Sequence, residues 1–156
     1  LKNELNKIYY FLQNKKKIEA IEIMKLTNLT ENFTVNELID VCLSKNRKRT
    51  ISILNENNFG TDDSILIIRT FLNKSKRLLN LLNDYKINRD LNETISNAKP
   101  PIFWKDKEIV KTQASKWTLK ETEKLIFKIN NLELLIKKNY YNSLNILSDF
   151  VLNTAK

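Results

Sequence analysis

The chain has 156 residues and carries 27 Lys+Arg against 18 Asp+Glu, a formal net charge of +9, with no His, one Cys, one Gly and two Pro. A single Gly argues against hairpin-rich β architecture and against phosphate-cradling loops of the Walker or dinucleotide type. The absence of His removes Ser-His-Asp and Cys-His catalysis and the usual zinc clusters. An apolar content of 42% is enough for a real core in one domain, or one domain plus a fragment of its neighbour. The lone Cys42 points to a reducing cytoplasm, and no apolar run approaches the roughly 20 residues of a membrane span. Because the chain starts without Met and without a signal-peptide pattern, it is expected to be a piece of a longer protein. The positive charge allows a nucleic-acid partner, yet a Lys-, Asn- and Ile-rich composition from an AT-rich genome gives the same excess with no binding role.

In chain order, Leu1, Leu5, Ile8 and Leu12 predict a short amphipathic helix ending near Gln13, and Ile18, Ile21 and Leu26 predict a second one ending before Asn28. Thr27 to Asn32 reads as a linker. Thr34 with Glu37 reads as a capping box opening a helix through Val35, Leu38, Ile39 and Cys42. On that stripe Cys42 is a small core hydrophobe, since no His can activate it. Ser44 to Thr50, holding Lys45, Arg47, Lys48 and Arg49, reads as a basic turn before a helix with Ile51, Ile53 and Leu54. Asn58, Phe59 and Gly60 make a glycine-marked stop to that helix, Thr61 or Asp62 caps the next, and Ile65 to Leu82 is apolar around so much of its girth that it is placed at the centre.

A weaker pattern covers Tyr85 to Asn97, and Pro100-Pro101 forces an extended path into Ile102, Phe103 and Trp104. Ile109, Val110, Gln113 and Trp117 continue helically from Asp106. Thr118 and Glu121 form a second capping box, opening a helix through Leu125, Ile129, Leu132 and Ile136. A last helix covers roughly Tyr140 to Asn153. With no convincing strand, the chain is predicted to be all-α, a helical bundle of antiparallel neighbours.

The run Lys99-Pro100-Pro101-Ile102-Phe103-Trp104-Lys105, followed by Gln113, Trp117 and Leu119 to Lys138, resembles the C-terminal part of the delta subunit of bacterial DNA polymerase III, a clamp-loader family. Phe33 to Asp40, the helix pair around the basic turn, and Lys76-Arg77-Leu78-Leu79 fall where that family has its helical lead-in, and Leu1 to Lys7 resembles the end of its lid domain. The resemblance implies residues 1–31 as the C-terminal part of a lid domain and residues 32–156 as a collar of about five helices, preceded by one or two short ones. It implies a place in the clamp-loader ring beside the delta prime and gamma/tau subunits, in a bacterial replisome at the nucleoid. The family reaches the sliding clamp through an N-terminal domain with no counterpart in this fragment. It further implies a contact with primed DNA, no cofactor and no catalysis of its own, although the family serves a nucleotidyltransferase holoenzyme. Two alternatives stay open: a stand-alone basic helical DNA-binding domain, and a helical scaffold with no nucleic-acid role.

The site residues follow from both lines. The resemblance places Tyr140 near the primer-template junction; Tyr141 is the alternative stacking face, and Lys137 and Lys138 could hold the strand electrostatically, or the pair could simply anchor a helix start. Lys45, Arg47, Lys48 and Arg49 form a weaker basic patch, either phosphate-binding or a solvated turn. Helix-turn-helix geometry over Val35 to Asn57 is excluded, because the turn has no Gly and the second helix has few base-reading side chains. Trp104 and Trp117 read as core aromatics or, alternatively, as interface residues, with Phe103 beside them and Pro100 and Pro101 fixing the approach. Asp62 and Asp63 complement a helix start and face no common pocket.

Overall fold

The computed structural model describes residues 2–12, 17, 19, 22–23 and 29–156, and among these every regular element is helical. The α-helices are α1 (Lys2–Leu12), α2 (Leu29–Leu43), α3 (Arg47–Glu56), α4 (Asp63–Asn88), α5 (Leu91–Asn97), α6 (Lys107–Lys116), α7 (Leu119–Lys138) and α8 (Ser143–Thr154). Single 3-10 turns at Trp104–Asp106 and Tyr140–Asn142 lead into α6 and α8. The helix expected before Asn28 lies largely outside the described residues.

The central placement of α4 holds. It packs against α7 most extensively and also against α2, α5, α6 and α8. Ile67, Ile68, Phe71, Leu78, Leu81 and Leu82 are its buried apolar residues. Around them close Leu38, Ile39, Cys42 and Leu43 of α2, Leu125, Ile129 and Ile136 of α7, and Leu147 and Val151 of α8. Phe71 meets Phe150 edge to face at 5.8 Å. Each such large side chain stabilises the bundle by about 1.5–3 kcal/mol.

Several boundaries differ from expectation. Residues 29–32 are helical, so Thr34 is an interior position of α2 and not a cap; no Gly or Pro upstream stops the helix there. Glu37 instead accepts from the Arg49 guanidinium at 2.8 Å. The basic run is not a loop, because Arg47, Lys48 and Arg49 form the first turn of α3. Only Lys45 is in the connection, in the left-handed region at φ 51. There its N–H reaches Cys42 O (2.9 Å) and the Asn46 N–H reaches Val41 O (3.0 Å), which closes α2 as a Schellman motif. Asn46 then accepts from Arg49 N–H at 3.1 Å and caps α3.

Helix α4 is longer than predicted, running on to Asn88 before Arg89, at φ 57, ends it. The pattern read as one helix over Tyr85 to Asn97 is therefore broken, and Asp90 caps a new short helix by accepting from Asn92 and Glu93 N–H. At the start of α4 the carboxylate that acts is Asp63, which reaches back to Gly60 N–H at 2.7 Å; Asp62 makes no cap bond. The Thr118–Glu121 capping box forms as expected. Helix α6 stops at Lys116, leaving Trp117 extended between two helices, and α8 starts at Ser143 after the tyrosine turn.

Candidate interaction surface

Two helix C-termini are closed by cations and donors from distant sequence. Lys116 Nζ donates to Ser44 O (2.7 Å) and the Trp117 indole N–H to Leu43 O (2.7 Å), at the negative end of α2. Lys45 Nζ sits 4.7 Å from the Trp117 ring centroid. At the end of α8, Arg47 donates to Leu152 O at 2.6 Å. Arg49 bridges Glu37 and Glu56, and Glu37 above all holds its guanidinium pKa above the usual value. The basic patch is thus largely committed to the fold: Lys45 to an aromatic face, Arg47 to a carbonyl, Arg49 to two carboxylates. Lys48 alone of the four makes no such contact among the described residues.

The tyrosine corner divides its two rings. Tyr141 is 97% exposed, whereas Tyr140, at 49%, donates its hydroxyl to Asp62 beside the start of α4. That bond, then the charge of the same carboxylate, raises the Tyr140 phenol pKa. The rings meet edge to face at 5.6 Å. Lys137 is tied to Glu133 at 2.7 Å, while Lys138 is exposed and has no ion-pair partner among the described residues. All four are exposed, but Tyr140 is engaged with Asp62 and Lys137 with Glu133, which leaves Tyr141 and Lys138 as the members of the set without such a partner among the described residues.

The proline-aromatic segment corrects the core assignment of Trp104. Extended backbone alternates its side chains, so once Ile102 is buried Phe103 turns out to solvent. Phe103 is 56% and Trp104 68% exposed, with ring centroids 5.7 Å apart and Lys105 Nζ 5.3 Å from the Trp104 ring. The segment is nonetheless anchored: Arg77 donates to the carbonyls of Pro100 (3.3 Å) and Pro101 (3.0 Å). Trp117, by contrast, packs against the core.

Beside this segment a pocket of about 340 Å³ opens between α4, Ala98–Ile102 and α6. Lys74 and Asp40 in its wall pair at 2.5 Å, and the buried Gln113 amide donates to Asp40 O (3.1 Å) and Oδ1 (3.2 Å). Lys76, Arg77 and Lys99 line it together with Asp84 and Asp106, so the walls carry both signs of charge. Cys42 donates to Val151 O at 3.4 Å, and burial pushes its thiol pKa up to about 12, which leaves it unreactive. Among the described residues no cluster of three or more His, Cys, Asp or Glu could hold a metal ion, and no helix is long and apolar enough to cross a membrane.

One surface was missed in the sequence pattern. Helix α7 buries Leu125, Ile129, Leu132 and Ile136, yet Phe127 (67%) and Leu134 (60%) are exposed on its opposite side. Placing the apolar residues of α7 on a helical wheel separates these two sets and was the available signal. No family model matches the sequence, and no curated protein or solved structure matches it either.

Proposed function

We propose that the chain is an assembly module of a bacterial clamp loader, the C-terminal part of a delta subunit of DNA polymerase III. In this reading residues 32–156 form a collar that holds delta beside the delta prime and gamma/tau subunits, residues 1–31 finish the lid domain, and the fragment itself catalyses nothing. The mechanism is positional: ATP-driven motions of partner subunits reach the clamp through a further domain, and the collar keeps delta in register with them. The observation that carries the reading is that Lys99 to Lys105, one of the stretches that carry the resemblance, is pinned to α4 by Arg77 while Phe103 and Trp104 face outward. A rigidly mounted pair of exposed aromatics is the kind of anchor that dominates protein interfaces. Mixing the chain with the delta prime and gamma/tau subunits of its source organism should give a co-eluting complex that Phe103→Ala with Trp104→Ala weakens. Absence of any complex removes the reading.

A contact with primed DNA is supported by Tyr141, whose free face could stack on an unpaired base for about 1–3 kcal/mol, with Lys138 holding the backbone. Tyr141→Ala should then weaken primed-template binding by the assembled loader and spare assembly. The rival reading, a stand-alone DNA-binding domain, has less support, because Arg47 and Arg49 are engaged within the bundle. Tight duplex binding by the isolated chain with a steep salt slope would favour it.

A further inference from the structure

Helix α7 lies at the edge of the bundle, packing on α4 and α8 through one face only. Its buried apolar residues Leu125, Ile129, Leu132 and Ile136 recur at three- and four-residue steps. Directly opposite, Phe127 and Leu134 stand seven residues apart, two turns of helix, with the exposed Leu135 beside them and Asn130 and Asn131 between. A helix that serves only as an outer wall would place polar residues there.

The charge around this strip is predominantly positive. Helix α7 contains five lysines, and among the described residues only Lys137 is ion-paired, with Glu133. Of its three glutamates, Glu133 pairs with Lys137, while Glu121, bonded within the capping box, still faces Lys124 electrostatically, so Glu121 and Glu123 are outnumbered by Lys120, Lys124, Lys128 and Lys138. A second copy of the chain laid antiparallel would bring Lys120 and Lys124 toward the partner's lysines at the other end, so self-pairing is opposed. Nucleic acid would satisfy the lysines but would gain little from Phe127 and Leu134, which lie where phosphates would run.

We propose that the outer face of α7 docks an acidic amphipathic helix of a partner protein. The partner's apolar residues cover Phe127, Leu134 and Leu135, and its Glu or Asp side chains meet Lys120, Lys124 and Lys138. This is the helix-on-helix mode of recognition, with apolar anchors setting affinity and rim charges setting choice of partner and rate of encounter. The inference stands on α7 alone and holds whether or not the chain belongs to a clamp loader.

The test uses the whole 156-residue chain and two fluorescein-labelled synthetic helical peptides of three heptads each, with Leu at the core positions. One carries Glu at every flanking position, the other Lys. The Glu peptide should bind, weaken as salt rises, and lose about tenfold or more in affinity against Phe127→Asp with Leu134→Asp, in line with the truncation of two anchors. The Lys peptide should not bind. Because both substituted residues are exposed, far-UV circular dichroism should show the variant folded. Ile87→Ala, exposed in the last turn of α4, serves as a surface control and should leave peptide binding unchanged. Equal binding of the two peptides, binding of neither, or full binding by the α7 variant overturns the proposal. So does sedimentation showing a dimer that the α7 variant abolishes.

Discussion

Replacing each tryptophan by phenylalanine separates two residues that look alike in the sequence. In Trp117→Phe the indole N–H that reaches Leu43 O at 2.7 Å is lost, at about 1 kcal/mol for the bond itself. Leu43 is fully buried at the last position of α2, beyond the helix's own ladder, so its stranded carbonyl adds about 1–2 kcal/mol. Weakening the Lys45 contact with the ring contributes about 0.5 kcal/mol more. The total is about 2.5–3.5 kcal/mol, which for a chain of this size lowers Tm by about 5–14 °C. Trp104→Phe removes only an exposed ring edge near Lys105 and should cost less than about 0.5 kcal/mol. Urea and thermal melts followed by circular dichroism at 222 nm give both values on one footing. Equal losses in the two variants, or a larger loss at Trp104, would refute the assignment of Trp117 to the fold and Trp104 to the surface.

Three further outcomes follow from individual side chains. Arg89→Gly should stabilise by about 0.5–1 kcal/mol, because Arg89 ends α4 at φ 57, a backbone region that a β-carbon disfavours. Cys42 should resist a thiol reagent at neutral pH in the native state and react only as fast as the bundle opens; rapid native labelling would contradict its burial. Glu121 titrates below the ordinary glutamate range, first because the Thr118 hydroxyl and then its backbone N–H bond to the carboxylate. A depressed carboxylate adds stability above its unfolded value of about 4.3 and loses it as pH falls through the folded value. The difference in stability between the wild type and Glu121→Gln should therefore shrink on acidification, and a difference independent of pH would remove the charge from the cap.

What the sequence made readable was what local chemistry decides. Thr118 and Glu121 announced α7 because both partners of the capping box lie within one turn, and the girth of apolar residues from Ile65 to Leu82 announced a central helix. Cys42 fell on a buried stripe for the same reason. Long-range partners decided the rest. Thr34 has the spacing of a cap, but Glu37 serves Arg49 in the next helix, and Lys45 ends α2 in a left-handed conformation with no Gly to announce it. Phe103 and Trp104 are as apolar as any core residue, and their outward placement depends on a segment held at Pro100 and Pro101 by Arg77, more than 20 residues away in sequence, with Ile102 turned inward. Of the tyrosine pair, Tyr140 is engaged because Asp62, 78 residues away, lies across from it.

On the proposed function this bundle acts by docking, through side chains it leaves outside its own core. Native mass spectrometry of the chain mixed with clamp-loader delta prime and gamma/tau subunits tests it most directly. The account expects a defined complex containing one copy of the chain, lost when Phe103 and Trp104 are replaced by Ala while the free chain stays folded. A chain that remains monomeric in every mixture, or a complex indifferent to those substitutions, would contradict it.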